Sequence, residues 1–182
     1  MRQRADRPAG RPSESLQSGK HSTALYTAEE RRRRDASRWT LVQGVLAPLQ
    51  FLVFLVSLAL VLRFLATGEG WFAASVSFVA KTALLYLIMV TGSVWEKAVF
   101  GRWLFAPAFF WEDVFSMAVL ALHTAYLVAL GTNALSPVQQ MYLALAAYLT
   151  YVINAGQFLL KLRAARLQSG REPLDHAAGA SA

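Results

Sequence analysis

The sequence contains no cysteine, and this absence excludes several kinds of site. Without thiols the chain can form neither disulfides nor thiolate zinc sites nor cysteine-held iron–sulfur clusters. Histidine is also scarce: the chain has 3, and only His123 lies outside the polar terminal segments. Paired histidines for two haems and the Glu-x-x-His repeats of di-iron bundles are both missing. We therefore expect no redox metal site and no cofactor.

Motifs for nucleotides and for covalent catalysis are missing as well. The sequence has no glycine-rich phosphate loop, no dinucleotide fingerprint and no Ser, His and Asp in the order of a hydrolase triad. The formal net charge is +7, but the basic run at residues 31–34 directly precedes an apolar segment and contains no aromatic residue. We interpret this run as a contact with anionic lipid headgroups and expect no nucleic-acid partner. Acid–base chemistry by carboxylates, ligand binding and a structural role remain open.

Apolar residues, in contrast, are abundant. They make up 55% of the 182 residues, with a mean hydropathy of +0.36, which is more than a soluble domain of this length could bury. Four apolar runs reach or approach the roughly 20 helical residues that cross the hydrocarbon core of a membrane. We predict an all-α, polytopic membrane protein, a bundle of four transmembrane helices at about 41–66, 71–95, 113–131 and 137–161.

The distribution of charge predicts the orientation of the bundle. Residues 1–38 contain ten Lys or Arg and five acids, residues 161–182 contain four and two, and the span between them balances four with four. Basic flanks at both ends and an even number of helices place both termini in the cytoplasm. We expect disordered tails at 1–25 and 168–182, a membrane domain at 26–167, and a short interfacial helix that begins at the capping box of Thr27 and Glu30.

A short segment between the second and third spans gathers most of the charge of the membrane region. Aromatic residues surround its charged side chains, so we expect it either to lie at the interface or to re-enter the membrane between helices 2 and 3. Its charged members are Glu96, Lys97, Arg102, Glu112 and Asp113, and its aromatic members are Trp95, Phe100, Trp103, Phe105, Phe109, Phe110 and Trp111.

Polar residues within the spans are costly and are therefore candidates for function. Lys81 lies near the middle of the second span, where it needs a partner, a cavity or a neutral state. In the third span, Glu112, Ser116, His123 and Tyr126 share one helical face and form an inward polar stripe. In the first span, residues 43, 50 and 57 are polar and recur every seven residues, which we interpret as hydrogen bonding between helices.

Four stretches of the sequence resemble one known family. These are Trp39 to Phe54, Val94 to Gly101, Leu104 to Phe115, and Ala121 to Tyr126. They are similar to the 3-vinyl bacteriochlorophyllide hydratase family of photosynthetic bacteria, over roughly residues 26–163. The resemblance implies a hydro-lyase of the bacterial inner, photosynthetic membrane that adds water to the C3 vinyl group of chlorophyllide a or 3-vinyl bacteriochlorophyllide and forms a 1-hydroxyethyl group. It implies no established catalytic residues.

The chemistry of vinyl hydration suggests the site residues. Protonation of the terminal carbon requires a carboxylic acid, and the incoming water requires an acceptor for its proton. We predict Glu112, Asp113 and Glu96 as the catalytic carboxyl groups. Among the predicted substrate-binding residues, His123 would ligate the magnesium of the pigment and Lys81 would pair with its propionate. The others offer flat apolar surface (Phe105, Phe109, Phe110 and Trp111) or polar contacts (Ser116 and Tyr126).

Other functions remain open on the sequence. A tetrapyrrole carrier or assembly factor would need the aromatic residues and His123 but not the three carboxyl groups. A small transporter or proton channel could use Lys81 and His123 as a relay. The expected partners are the chlorophyllide substrate and membrane lipid, with other pigment-biosynthesis enzymes or a homo-oligomer as open candidates.

Overall fold

The structure, a computed structural model, describes residues 25–179 and is all-helical over that range. Five helices follow one another: α1 (Ala28–Ala36), α2 (Arg38–Thr67), α3 (Trp71–Phe100), α4 (Phe110–Thr132) and α5 (Pro137–Gly179). Segments of the last four are long and apolar enough to cross a membrane. The predictions of an all-α fold and of four helices long and apolar enough to span a membrane are therefore confirmed.

Helix α1 is the short helix expected before the first span. The Thr27 amide donates to Glu30 Oε2 at 2.7 Å, and the Glu30 amide donates to Thr27 Oγ1 at 3.2 Å. These two bonds satisfy amides that the first turn of a helix otherwise leaves unpaired. On the exposed face of α1, a hydrogen bond from Arg33 to Glu29 lowers the pKa of the Glu29 carboxyl group.

Helix α5 is longer than the span predicted for it. Its apolar part ends near Ala164, but the helical backbone continues to Gly179 and so includes much of the segment predicted to be a disordered tail. Residues 162–168 are mostly Leu, Ala, Arg and Gln, which favour helix, so no local signal ends it there. The rest of the predicted tails, residues 1–24 and 180–182, lies outside the described residues.

The bundle consists of two closely packed pairs, α2 with α3 and α4 with α5. Aromatic rings fill the space between the pairs: Phe78 of α3 lies 3.9 Å from the ring of Tyr126 on α4 and 5.2 Å from that of Tyr148 on α5, measured between ring centroids. Large apolar side chains such as Phe72 and Leu149 are exposed on the outer faces. Exposed apolar surface of this kind suits contact with lipid.

Hydrogen bonds between polar side chains also join the helices. Gln43 Nε2 donates to Thr91 Oγ1 at 2.8 Å, and the Ser57 hydroxyl lies 2.7 Å from that of Ser77 and accepts from the Tyr148 hydroxyl at 2.6 Å. These bonds agree with the interpretation of the polar positions of the first span as contacts between helices.

The four spanning helices alternate in direction, so the bundle has two distinct ends. At one end, the Trp95 indole donates to Thr40 at 3.0 Å, and Lys161 lies 2.6 Å from Glu112. We call this the carboxylate end, since Glu96, Glu112 and Asp113 all lie there. The opposite end is formed by the short connections at residues 68–70 and 133–136.

Candidate functional site

Two carboxyl groups from different helices meet at the carboxylate end. Glu96 lies in the last two turns of α3 and Asp113 in the first turn of α4, and both are buried, with 5% and 4% of their surface exposed. The two carboxyl groups accept from neighbouring amides of the same connection, those of Ala106 and Phe105, and therefore lie close together. Sequence reasoning predicted both residues for the site, and the structure brings them together.

The connection between α3 and α4 folds back over this pair. The Phe105 amide donates to Asp113 Oδ2 at 2.7 Å, and the next amide, that of Ala106, donates to Glu96 Oε2 at 3.2 Å. The Ser93 hydroxyl adds a bond to the Trp103 carbonyl at 2.6 Å. Phe105 has a φ of 58°, a left-handed backbone conformation that residues other than glycine rarely adopt. The carboxyl groups therefore hold this connection over them, with Phe105 in a strained backbone conformation.

Glu112, although adjacent to Asp113 in sequence, has a different partner. Its Oε2 lies 2.6 Å from Nζ of Lys161 on α5, and 27% of the lysine side chain is exposed against 10% of the glutamate side chain. At the carboxylate end, the ion pair of Glu112 and Lys161 thus lies next to the two carboxyl groups of Glu96 and Asp113. Lys161 is not among the site residues predicted from the sequence, because no local signal identifies it as the partner of Glu112.

The aromatic residues of this end divide into two groups. Phe109 is buried in a cluster with Trp95, Phe100, Tyr26 and Phe158, with ring centroids 5.7 to 6.2 Å apart. Burial raises the pKa of the Tyr26 phenol, although Arg34 nearby opposes the shift. In contrast, the side chains that face outward form a second group, the exposed aromatic patch: Trp103, Phe105, Phe110 and Trp111.

Lys81 and His123 form a contact deep in the bundle. Both are fully buried, and Lys81 Nζ lies 3.1 Å from His123 Nε2 and 3.8 Å from the ring centroid of Tyr151. Nδ1 of His123 lies 2.8 Å from the Val119 carbonyl oxygen, so this nitrogen carries the proton and Nε2 accepts from the lysine. The pair satisfies its own hydrogen bonds away from the carboxyl groups.

The other members of the polar stripe on α4 also face inward. Ser116 Oγ accepts from Asn154 Nδ2 of α5 at 2.8 Å, and the Tyr126 hydroxyl donates to Ser75 of α3 at 3.2 Å. The face predicted from helical periodicity is therefore buried between helices. Asn154, the partner of Ser116, is not among the site residues predicted from the sequence.

Within the part of the chain that the structure describes, neither a cluster of metal ligands nor the groove on α4 is a stronger candidate than these carboxyl groups. Among residues 25–179, no three His, Cys, Asp or Glu side chains lie close enough to hold a metal ion. An open groove of about 630 Å³ runs along the outer face of α4 between Met117 and Thr132, at a distance from the carboxyl groups. Because it contains no ionisable side chain, the groove offers no acid–base chemistry, and the buried carboxyl groups are the stronger candidate.

Comparison with known proteins gives a consistent assignment. Residues 26–164 match the family described as 2-vinyl bacteriochlorophyllide hydratase. The chain belongs to this family. A 2-vinyl bacteriochlorophyllide hydratase of Rhodobacter capsulatus is 70% identical over 149 residues, which cover 82% of this chain and 86% of the relative. One of Cereibacter sphaeroides is 71% identical over 143 residues, covering 79% and 89%.

The family assignment agrees with the resemblance noted from the sequence. The terms 2-vinyl and 3-vinyl denote the same substituent in two numbering schemes of the macrocycle. No solved structure matches the chain. The match includes all of α1 to α4, the spanning part of α5 and the whole carboxylate end.

Proposed function

We propose that this chain is the hydro-lyase that hydrates the vinyl group of a bacteriochlorophyllide or of chlorophyllide a in bacteriochlorophyll biosynthesis. The observation that carries the proposal is the 70% identity, over most of both chains, to a curated hydratase of that name. The reaction adds H and OH across a carbon–carbon double bond and gives a 1-hydroxyethyl group. It needs a proton donor, an acceptor for the proton of water and a surface for the macrocycle.

The buried pair of Glu96 and Asp113 is suited to donate the proton. Both carboxyl groups are buried, and each accepts from one of two adjacent amides, so they lie side by side. A carboxyl group that is protonated can donate its proton to a substrate. Pairs of carboxyl groups that lie close together serve as proton donors in several classes of enzyme. We assign to this pair the proton that reaches the terminal vinyl carbon, and the conjugated macrocycle stabilises the cation that results.

Glu112 is suited to a different role. Nζ of Lys161 lies 2.6 Å from one of its oxygens, and the two side chains form an ion pair. A carboxylate accepts a proton, so Glu112 is our candidate to deprotonate the water that attacks the cation. The three predicted catalytic residues thereby divide into one acidic pair and one base.

The exposed aromatic patch is the candidate surface for the pigment. Phe110 and Trp111 extend outward from the first turn of α4, whose next residues are Glu112 and Asp113. A flat macrocycle that lies on these rings would bring its edge close to the carboxyl groups. Phe109 lies beneath as support, since it is buried. The contacts predicted for Ser116 and Tyr126 remain predictions, and those predicted for Lys81 and His123 would require that pair to separate.

We place the carboxylate end in the cytoplasm of a photosynthetic bacterium, with the bundle in the inner membrane. The basic residues of α1 and the end of α5 lie at this end of the bundle, as the positive-inside rule requires of a cytoplasmic face. The amphiphilic substrate could then enter laterally from the lipid interface, and the segment at residues 101–109 would lie at that interface.

Incubation of the purified protein in lipid nanodiscs with chlorophyllide a tests the function. We expect a product whose mass is greater by one water and whose absorbance is shifted because the vinyl group no longer extends the conjugation. Protein boiled before incubation serves as the control. Pigment that binds without a change of mass would refute the hydratase and indicate a carrier.

A further inference from the structure

Two buried amide oxygens near the carboxylate end have no donor. Asn154 Oδ1 and Gln157 Oε1, both on α5, lack a hydrogen-bond partner within the described residues. The two residues are three apart and therefore lie on the same face of the helix. Asn154 is 9% exposed. Buried acceptors of this kind are almost always paired, with protein or with ordered water, because leaving them unpaired in an apolar surrounding is unfavourable.

A donor group lies nearby without an acceptor. Ser116 Oγ accepts from Asn154 Nδ2 at 2.8 Å, and its own hydroxyl hydrogen donates to no atom in the described part of the chain. Exchanging the oxygen and nitrogen of the Asn154 amide would leave an unpaired donor in place of the unpaired acceptor, so one unsatisfied group remains in either assignment. The site thus presents one free donor and two free acceptors.

These groups match the hydrogen-bonding capacity of one water molecule. Water can donate one hydrogen to Asn154 Oδ1 and the other to Gln157 Oε1 while it accepts from the Ser116 hydroxyl. Three such bonds are typical of a buried water in a protein. A cation could not accept the serine hydrogen, and an anion could not donate to the amide oxygens, so a small neutral molecule that both donates and accepts is the ligand that fits.

The position of the site relates it to the reaction. Ser116 lies one helical turn after Glu112 on α4, and Gln157 lies one turn before Lys161 on α5, so the unpaired groups are directly below the ion pair. We propose that Ser116, Asn154 and Gln157 bind a water molecule between α4 and α5, and that this site supplies the water that the hydratase consumes. The second half of this inference rests on the proposed function.

The step balances without any further reactant. The acidic pair gives a proton to the vinyl carbon, the water oxygen forms a bond to the carbon next to the ring, and one O–H bond of that water breaks. Glu112 accepts the released proton, and transfer of one proton to the acidic pair restores the starting state. The site would then refill with water from the exposed side of Lys161.

Solid-state NMR of the protein in lipid bilayers tests whether water is bound. The chain has two asparagines, so the side-chain amide signals are few and Asn154→Leu assigns one of them. We expect transfer of magnetisation from water protons to the Asn154 amide to be several times faster than to the methyl groups of Val119, which is fully buried. Transfer as slow as that to Val119 would overturn the water site and leave the hydratase assignment unaffected.

Kinetics of matched variants test whether this water is consumed. Gln157→Met and Asn154→Leu keep the approximate side-chain volume but remove the acceptors, and we expect kcat to fall by about tenfold or more while KM for the pigment changes little. Gln140→Met is the control: Gln140 has the same unpaired, buried Oε1 but lies 14 residues before Asn154, roughly 21 Å along α5. We expect its kcat to equal that of the wild type.

The outcomes separate the two halves of the inference. Equal loss of kcat in all three variants would mean that buried amides act only through stability, and it would overturn the supply role. Rapid water transfer together with unchanged kcat would also overturn it, because the water would then be structural. Absence of conversion by the wild type would refute the proposed function and the supply role together, and the NMR result would still decide whether water is bound.

Discussion

The substitution Asp113→Asn removes the proposed acid while leaving the surrounding geometry almost unchanged. Asparagine has the shape of aspartate. Its Oδ1 can accept from the Phe105 amide, as Asp113 Oδ2 does at 2.7 Å, and its Nδ2 can donate to Glu96. The connection over the site therefore keeps its hydrogen bonds. What disappears is the proton that the proposed acid would donate, so the variant isolates the proton-donating role from the structural one.

The expected loss can be stated as a rate. General acid catalysis by a positioned side chain contributes about 10²- to 10⁴-fold, which corresponds to roughly 3 to 5 kcal/mol of barrier. We expect kcat of Asp113→Asn to fall within that range and the dissociation constant for chlorophyllide a to stay within about threefold, since the carboxyl groups lie beneath the aromatic surface and not on it. Glu96→Gln should show the same pattern.

The assay is conversion of chlorophyllide a in nanodiscs, measured by mass and absorbance, with pigment binding measured separately by fluorescence. Glu69→Gln is the control, because Glu69 is exposed in the connection at the opposite end of the bundle. If Asp113→Asn keeps more than about a third of the wild-type kcat, an effect below 1 kcal/mol, the carboxyl pair is not the acid and the reasoning is refuted.

Three further variants test the structure by thermal unfolding in nanodiscs. Lys161→Met should lower the free energy of unfolding by about 2 kcal/mol, which is less than the loss expected from breaking a fully buried ion pair, because 27% of the lysine side chain is exposed. An unchanged free energy of unfolding would show that the ion pair with Glu112 does not stabilise the fold. The free energy of unfolding of Phe105→Gly should stay within about 1 kcal/mol of the wild-type value, and Phe105→Val should be less stable, because valine is β-branched and position 105 has a positive φ. The reverse order of stability would show that the backbone at this position is not strained. His123→Ala should lower the free energy of unfolding by about 2 to 3 kcal/mol, because it leaves Lys81 buried without its acceptor. The double variant with Lys81→Met should recover part of that stability, and a further loss of stability would argue against the contact between Lys81 and His123.

Much of the fold follows from local features of the sequence. The four spans follow from the length of apolar runs, and the capping box of Thr27 and Glu30 marks the start of α1, because both depend on residues that are neighbours in the chain. The inward face of α4 follows from helical periodicity in the same way. The length of α5 does not follow from the sequence in this way, because the residues after its apolar part favour helix and give no sign of where the helix ends.

The organisation of the carboxylate end required the tertiary structure. The sequence places Glu112 and Asp113 side by side but does not show which group each of them contacts. Successive helical residues point about 100° apart, however, so Glu112 meets Lys161 on α5 while Asp113 turns toward Glu96 on α3. No local pattern can reveal contacts between residues 17 and 49 positions apart in the chain.

The sequence by itself thus determined that the chain is a helical membrane protein, where its acidic and aromatic side chains concentrate, and which family it resembles. These properties depend on composition, on periodicity and on segments that are contiguous in the chain. The tertiary structure decided which carboxyl groups meet, which aromatic rings are buried, and that Lys81 and His123 pair with each other. Those outcomes depend on how four helices rotate and pack, because packing alone determines which faces become neighbours.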